Sequence, residues 1–402
     1  MKFYKRAYCR IYQSIFRLLL PFLPYREPSI YHSQDDLIDL LKIKKITSIM
    51  LITDKGIRGS GLTRKLENLL KDNNISLVVY DKTNANPTVE NVEEARSLYL
   101  ENNCQGLIAF GGGSAMDCAK ATGARIAYPK KSLYQLKGVL KVIRKIPLLI
   151  AIPTTAGTGS EVTLAAVISD HQKHHKYTLM DFTLIPRYAV LDPSVTYSLP
   201  PHLTSTTGMD ALTHAVEAFI GRSTTKETRK KALEATALIF NNIEKAYKNG
   251  EDYEARANML KAAYLAGIAF SKSYVGYIHA IAHSLGGQYN VPHGLANSVI
   301  MPYVLEAYGD KISKKLHKLA ISAGISKKED DINESAKRFI QEIKKLNQNM
   351  NIPTHIKGIK KEDIKEMARK ADKEANPLYP VPKLLNANEL EKFYYQLMEG
   401  EQ

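Results

Sequence analysis

The first half of the chain alternates short apolar runs with segments of helical periodicity. The runs at 49–53, 76–80, 106–110 and 148–152 have the length and composition of buried strands. Glycine-rich or threonine-rich turns follow two of these runs, at 111–114 and 154–160. Strands that alternate with helices predict a parallel α/β sheet, whose ligands bind at the carboxyl ends of the strands.

The second half of the chain has a different pattern. Beyond the step Leu199-Pro200-Pro201 the strand signals fade, and helical patterns cover 206–219, 226–248, 253–271 and 278–286. The sequence therefore predicts an α/β domain at 29–199 and an all-α domain at 200–402.

Residues 1–28 form a third segment with its own character. Apolar residues recur at helical spacing from Tyr4 to Leu19, and Arg6, Arg10 and Arg17 fall on the other side. The pattern predicts an amphipathic basic helix that is too short to span a bilayer and has no cleavage site of a signal peptide. Two interpretations stand: the helix contacts an anionic membrane surface, or it docks on its own chain or a partner subunit. Docking is favoured because apolar stripes usually pack on protein.

Composition narrows the classes of function. The chain has 402 residues, of which 44% are hydrophobic and 24% charged, as in globular proteins. The formal net charge is +15, but the lysines are dispersed and no nucleic-acid-binding motif accompanies them, so we expect no nucleic-acid partner. Three cysteines provide no disulfide framework, which favours a reducing, cytoplasmic location.

The turn at 111–114 is a candidate phosphate-binding site. Glycines let backbone N–H groups approach a pyrophosphate, and the helix that follows adds favourable partial charge. The threonine-rich loop at 154–160 follows a second strand and could line the same crevice. Asp54 ends the first strand, where a carboxylate could bind a ribose and repel a 2′-phosphate, or could simply cap a helix.

Four or five further side chains suggest a metal site. Asp210 and His214 are one helical turn apart, so both lie on one face of a helix. His279, His283 and His293 crowd into a second short segment. One carboxylate with imidazoles is a ligand set for Fe(II) or Zn(II). Spacing alone leaves open whether His283 binds the metal or handles a proton.

Several motifs together resemble the iron-containing (group III) alcohol dehydrogenases, the group that includes lactaldehyde reductase and butanol dehydrogenases. The resemblance covers roughly residues 30–400. It rests on motifs that occur in one order: Ile52-Thr53-Asp54-Lys55, Gly111-Gly112-Gly113-Ser114-Ala115-Met116-Asp117, Pro153-Thr154-Thr155-Ala156-Gly157-Thr158-Gly159-Ser160-Glu161-Val162-Thr163, Gly208-Met209-Asp210-Ala211-Leu212-Thr213-His214, and the block 279–294.

The resemblance implies a fold, two cofactors and their residues. It implies an N-terminal Rossmann-like domain and a helical C-terminal domain, as in dehydroquinate synthase, in a dimer or larger homo-oligomer. The implied metal ligands are Asp210, His214, His279 and His293, with His283 beside the substrate. The residues implied to bind NAD are Asp54, Gly111, Gly112, Gly113, Ser114, Asp117, Thr154, Thr155, Thr158 and Lys176.

The expected reaction interconverts a primary alcohol and its aldehyde by hydride transfer to or from NAD. A divalent ion, Fe(II) or alternatively Zn(II), would polarise the substrate oxygen, and His283 could pass the hydroxyl proton to solvent. Two alternatives on the same fold are a glycerol-type polyol dehydrogenase and a dehydroquinate-synthase-like lyase. The lyase's acidic substrate would require clustered lysines or arginines, and the metal-site motifs lack basic residues.

Overall fold

The computed structural model describes residue 1, residues 3–170 and residues 175–398. The chain forms two compact units. Pro24–Ser198 makes up the first, here called the α/β unit. Met1–Leu23 and Leu199–Gln402 together make up the second, here called the helical unit.

The strands belong to the α/β unit. In chain order they are β1 (Ser29–Tyr31), β2 (Ser48–Ile52), β3 (Ser76–Tyr80), β4 (Gly106–Gly111), β5 (Gly138–Val139), β6 (Leu148–Pro153), β7 (Ala165–Asp170), β8 (His175–Met180) and β9 (Tyr188–Val190). A six-stranded sheet has the order β1-β9-β6-β4-β2-β3, and its neighbouring strands all run parallel. A smaller sheet has the order β5-β8-β7.

The helices occupy both units. In chain order they are α1 (Phe3–Leu19), α2 (Gln34–Ile43), α3 (Lys55–Gly59), α4 (Arg64–Asp72), α5 (Val89–Glu101), α6 (Gly113–Ala127), α7 (Pro201–Ile220), α8 (Lys226–Lys248), α9 (Tyr253–Ser273), α10 (Tyr277–Tyr289), α11 (His293–Tyr308), α12 (Ser313–Ser322), α13 (Ile332–Asn349), α14 (Lys361–Ala375) and α15 (Ala387–Leu397).

The parallel sheet is buried on both faces, which explains the near-continuous apolar runs of its strands. Alternate residues of β2 enter two different cores: Met50 and Ile52 join one, and Ile49 and Leu51 join the other. The predicted α/β class and its four principal strands are confirmed. The antiparallel pairing of β7 with β8 was not foreseen, since its residues alternate less regularly.

The helical unit is built around α7, α8 and α9. Most of α7 is buried, which agrees with its apolar sequence. Gly208 sets how closely α7 approaches its neighbours, because a Cβ there would lie 2.7 Å from Ile243 Cδ1 and 2.8 Å from Met259 Cε. The predicted all-α character beyond residue 199 is confirmed within the described residues.

The basic N-terminal helix α1 packs on the helical unit through its polar side. Gln13 donates a hydrogen bond to the Tyr379 carbonyl, and Arg10 donates to the Val381 carbonyl, at 2.7 Å each. The apolar stripe faces outward instead, with Ile11 60% and Leu18 72% exposed. The helix therefore docks on its own chain, the favoured interpretation, but mainly through its polar side; of the predicted stripe, Phe16 packs 4.9 Å from the Tyr274 ring, and the residues named above face outward. Within the described chain, every helix is too short or too polar to cross a membrane.

Candidate metal and nucleotide sites

Three helices of the helical unit bring four candidate ligands together. Asp210 and His214 come from consecutive turns of α7, His279 from the first turn of α10, and His293 from the first residue of α11. One ligand atom from each side chain lies within 4.8 Å of the corresponding atoms of the other three. The four ligands named by the resemblance are thus adjacent in the structure.

Two glycines allow α10 and α11 to begin against α7. A Cβ at Gly294 would lie 2.5 Å from the Thr206 carbonyl oxygen, and one at Gly276 would lie 2.6 Å from Glu217 Oε1. Real Cβ atoms do not approach so closely, so larger residues would displace the helix starts. Each glycine stands within three residues of a candidate ligand, and it therefore sets where that ligand lies.

The donor set fits a divalent cation. His279 Nε2 is buried and has no hydrogen-bond partner among the described residues, although it lies 3.9 Å from Asp210 Oδ1. Burial, together with the neighbouring imidazoles, holds the pKa of His279 well below its usual value. Burial likewise lowers the pKa of His293 to about 4, although Asp210 opposes the shift. Neutral imidazoles beside one carboxylate are the form in which histidine binds metals.

Glu217 orients His279. The Glu217 carboxylate lies 2.7 Å from His279 Nδ1 and accepts backbone N–H bonds from Gly276 and Ile278, at 2.7 and 2.9 Å. Burial raises the pKa of Glu217 to about 7. A carboxylate on Nδ1 leaves Nε2 as the atom that can bind a metal, and such contacts commonly support histidine ligands.

Asn297 connects α7 and α11, two of the three helices that carry the candidate ligands. It lies one turn after His293 on α11 and is fully buried. Its Nδ2 donates to Asp210 Oδ1 at 2.7 Å and lies 3.1 Å from His293 Nε2. Asn297 therefore links the carboxylate on α7 to the imidazole on α11.

His283 lies beside the four ligands and has a different partner. Its Nδ1 is 2.6 Å from Glu374 Oε1, and the Tyr379 hydroxyl donates to the same oxygen at 2.7 Å. Its ring stacks 5.2 Å from that of His293. Burial by itself would lower the pKa of His283, but Glu374 outweighs burial and the pKa is raised. His283 thus stands next to the site, with an acid to share its proton.

The candidate nucleotide residues lie at the carboxyl ends of neighbouring strands in the α/β unit. Asp54, Gly111 and Thr154 follow or end β2, β4 and β6, which are adjacent in the sheet. The Thr154 backbone N–H donates to the Gly111 carbonyl at 3.0 Å, so the two turns are in direct contact. The structure therefore places the glycine turn, the threonine loop and Asp54 at one edge of the sheet.

Small residues shape the turn that begins α6. A Cβ at Gly111 would lie 2.7 Å from Ala115 Cβ, and one at Gly113 would lie 3.1 Å from Thr158 Cγ2. Gly112 is the N-cap residue of α6. Because glycine has no side chain, the N-cap residue makes no side-chain hydrogen bond to the first N–H groups of the helix. Thr155 approaches the same turn, 3.5 Å from a Cβ placed at Gly112. The turn has the features of an anion-binding helix start.

Asp54 and Asp117 both have structural contacts. Asp54 caps α3 and accepts a hydrogen bond from the Ile57 N–H at 2.9 Å through Oδ1. The capping interpretation is therefore correct for one of its oxygens. Asp117 Oδ2 accepts from the Val167 N–H at 3.0 Å. This contact joins α6 to β7 beneath the glycine turn.

Ser114 and Lys176 both donate hydrogen bonds to the loop that contains Ala85 and Asn86. Ser114 Oγ donates to the Ala85 carbonyl, and Lys176 Nζ donates to Asn86 Oδ1 at 3.1 Å. Partial burial lowers the pKa of Lys176. Lys176 is thus held near the glycine turn, although the two are 62 positions or more apart along the chain.

Sequence reasoning missed a buried lysine below this turn. Lys120 is fully buried in α6, and its Nζ donates to the carbonyls of Thr163 and Ala165 and to the Thr163 hydroxyl, at 2.8–2.9 Å. Burial lowers its pKa to about 8, and burial raises the pKa of the nearby Glu161 to about 7. Three hydrogen bonds explain how a lysine is accommodated in this interior.

The sequence also matches known proteins over nearly its whole length. The family model described as iron-containing alcohol dehydrogenase matches residues 30–193. That of the Fe-containing alcohol dehydrogenase family, C-terminal, matches residues 204–398. Alcohol dehydrogenase 4 of Saccharomyces cerevisiae is 38% identical over 341 residues, which cover 84% of this chain and 87% of the relative. This chain belongs to the iron-containing alcohol dehydrogenase family.

Two further comparisons agree with this membership. The 1,3-propanediol dehydrogenase of Klebsiella pneumoniae is 33% identical over 386 residues, which cover 95% of this chain and 98% of that protein. A crystal structure of 1,3-propanediol oxidoreductase superimposes with a TM-score of 0.89 at 31% identity, covering 93% of this chain and 99% of that one. The chain is accordingly an alcohol dehydrogenase of the iron-containing family, and its reaction class is metal-dependent alcohol oxidoreduction.

The supporting residues Glu217, Asn297 and Glu374 were not foreseen. Glu217 had a signal in the sequence, because it follows Asp210 and His214 at positions i+7 and i+3 on an otherwise apolar helix. Asn297 follows His293 by one turn in the same way. Glu374 had none, since it lies in a charged segment 91 positions from His283.

Proposed function

We propose that this enzyme interconverts a small primary alcohol and its aldehyde, with NAD as the hydride carrier and Fe(II), or alternatively Zn(II), as the metal. The observation that carries this proposal is the group of one carboxylate and three imidazoles, three of whose four members are buried; among the described residues, His279 Nε2 has no hydrogen-bond partner. Membership of an alcohol dehydrogenase family supports the reaction.

Asp210, His214, His279 and His293 would hold the divalent ion. When bound, such an ion acts as a Lewis acid on the substrate oxygen, which favours loss of the hydroxyl proton from an alcohol. The residues keep the site ready for a cation: the lowered pKa values keep His279 and His293 neutral, Glu217 fixes Nδ1 of His279, and Asn297 restrains Asp210.

The α/β unit would bind NAD at the turn after β4. Backbone N–H groups of Gly112, Gly113 and Ser114 would hold the pyrophosphate at the start of α6. Lys176 would reach the cofactor, and Thr154, Thr155, Thr158 and Asp117 would line or support the turn. Asp54 Oδ1 caps α3, and its other oxygen would accept from the ribose; its charge would disfavour a 2′-phosphate.

His283 would move the hydroxyl proton. Its Nδ1 faces Glu374 Oε1, so the proton on that nitrogen is held and Nε2 is the atom for exchange with substrate or water. Glu374 stabilises the imidazolium that forms, and Tyr379 holds Glu374 in place through its hydroxyl. The step is general acid–base catalysis by histidine.

We further propose a small substrate, a homo-oligomeric enzyme and a cytoplasmic location. Relatives named alcohol dehydrogenase 4 and 1,3-propanediol dehydrogenase support small, uncharged alcohols. Cys9, Cys104 and Cys118 are free and buried, which suits a reducing compartment.

A reconstitution assay tests the proposal. The protein is purified without oxygen, stripped of metal with a chelator and reloaded with Fe(II) or Zn(II), and NADH oxidation is followed with short aldehydes. We expect turnover that requires added metal and prefers NADH to NADPH. In the reverse assay, NAD reduction with glycerol-type polyols, combined with no NADH oxidation by any simple aldehyde, would favour the polyol alternative. Turnover without metal would contradict the proposed site.

A further inference from the structure

The exposed side of α1 carries an unusual apolar surface. Its members are large side chains of α1, together with Phe22 in the turn that follows, and they are 40–82% exposed. They are here called the apolar stripe: Tyr8, Ile11, Tyr12, Ile15, Leu18, Leu19 and Phe22. Proteins seldom expose so many large apolar groups in one contiguous patch, and such patches mark interaction surfaces.

The helix is fastened in this orientation by its polar side. Besides the contacts of Arg10 and Gln13 with backbone carbonyls, Gln13 accepts a bond through its own carbonyl from the Ser223 hydroxyl at 3.2 Å. Lys5 pairs with Asp372 at 3.2 Å, and Cys9 is buried in the contact. The outward stripe is therefore part of the folded helical unit and does not arise from a loose terminus.

Cations gather where the polar side of α1 meets the rest of the helical unit. Lys315 Nζ donates to the carbonyls of Ile220 and Gly221, immediately before Arg222 and the Ser223 contact with α1. The pKa of Lys315 is lowered to about 8 by burial and then by its cationic neighbours: Arg229, Arg222, Arg17 and Lys318. We call these five residues the cationic cluster. Arg17, Arg222 and Lys318 are exposed.

The apolar stripe lies outside the segments that match the family, whereas the cationic cluster, apart from Arg17, lies within the C-terminal match. The matches to the family begin at residue 30, whereas α1 ends at Leu19. The helix itself contains four basic residues and no acidic residue. Crowding five cations costs folding free energy, and an anionic partner would offset that cost.

We propose that the apolar stripe and the cationic cluster seat this enzyme on the surface of an anionic phospholipid bilayer. The apolar side chains would enter the interface between headgroups and acyl chains, and the cations would contact lipid phosphates. A second copy is a poorer occupant, because a two-fold interface would set two cationic clusters of the same surface against each other in a chain of net charge +15.

Vesicle sedimentation tests this proposal with the full-length protein. We expect binding to vesicles of phosphatidylcholine mixed two to one with phosphatidylglycerol, and little binding to phosphatidylcholine alone. The double variant Ile11→Glu, Leu18→Glu should bind at least about tenfold more weakly, since two apolar contacts are lost and two negative charges are added. The double variant Arg222→Glu, Lys318→Glu should lose binding similarly, and high salt should reduce binding of the wild type.

Ile43→Glu is the matched control. Ile43 is 76% exposed at the end of α2 in the other unit, so this variant should bind vesicles like the wild type. Thermal melting checks that every variant is folded. Binding that is absent for the folded wild type, or unchanged in the Ile11→Glu, Leu18→Glu variant, overturns the proposal. A dimer that explains the apolar stripe would also overturn the proposal. Light scattering would then show a concentration-dependent dimer of the wild type that is lost in the Ile11→Glu, Leu18→Glu variant and is unaffected by lipid.

Discussion

Glu217 Oε2 lies 2.7 Å from His279 Nδ1, and this contact joins α7 to α10 at the candidate metal site. Asp210, His214 and Glu217 come from one face of α7, so a single helix contributes two candidate ligands and the carboxylate that contacts a third. The site therefore depends on how α10 is held against α7. Gly276 allows this approach.

Replacing Glu217 with glutamine should weaken metal binding. Loss of a carboxylate behind a histidine ligand typically lowers metal affinity by about 10- to 100-fold, because the imidazole is less basic and less well oriented. Titration of the metal-free protein with Zn(II) measures the effect. Glu306→Gln, which alters a surface ion pair on α11, is the control. Equal Zn(II) affinity in wild type and Glu217→Gln would show that the contact has no role in metal binding.

His293→Ala should abolish both metal retention and turnover. The substitution removes one of the four proposed ligands, at the first residue of α11. Metal analysis after dialysis should find roughly a tenth of the wild-type content or less, as expected for a site that lacks a ligand. His202→Ala, an exposed histidine on α7, should behave like the wild type. A His293→Ala enzyme that keeps its metal and its activity would contradict the ligand assignment.

His283→Ala should separate metal binding from proton transfer. His283 lies outside the group of four and pairs with Glu374, so we expect normal metal content. Turnover should fall by about 10²- to 10³-fold, within the range for loss of a general acid or base. The two measurements are metal analysis and the rate of NADH oxidation. Loss of the metal would instead make His283 a ligand.

Asp54→Asn should relax the preference for NADH while it preserves stability. Asparagine also caps helices well, so the bond from the Ile57 N–H should persist and the melting temperature should change little. Removing the charge should lower the ratio of kcat/KM for NADH over NADPH by about tenfold, equivalent to about 1.4 kcal/mol. Asp35→Asn, at an exposed position of α2, is the control. An unchanged ratio would limit Asp54 to its capping role.

Glu161→Gln should change how stability depends on pH. Burial raises the pKa of Glu161 from about 4.5 in the unfolded chain to about 7, so the folded state binds the proton more tightly. The contribution of Glu161 protonation to the free energy of unfolding is therefore fully present below pH 4.5. At most about 3 kcal/mol of that free energy is lost as the pH rises through 7.

The glutamine variant lacks this loss. Relative to the wild type, it should gain stability between pH 5 and pH 7.5 in urea unfolding of the metal-free protein. Glu329→Gln, which changes an exposed carboxylate, should follow the wild type at both values of pH. Parallel curves for wild type and Glu161→Gln would show that Glu161 stays ionised in the folded protein.

Local patterns were sufficient for much of the fold. The run at 148–152 is apolar throughout because β6 is covered on both faces, and 226–248 is periodic because α8 buries one side. The pair β7 and β8 escaped prediction because its residues alternate less regularly between apolar and polar, so the local pattern carried only a weak strand signal.

The sequence by itself determined which candidate binding groups this protein has. They are Asp210 and His214 one turn apart, further histidines in a second motif, and a glycine turn after a buried strand. Those features depend on spacing within single elements, where helix and strand geometry is fixed. Only the tertiary structure decided that Glu217 reaches His279, that Glu374 reaches His283 and that α1 turns its apolar stripe outward. Such contacts join residues that are far apart in the chain, and they depend on how helices pack.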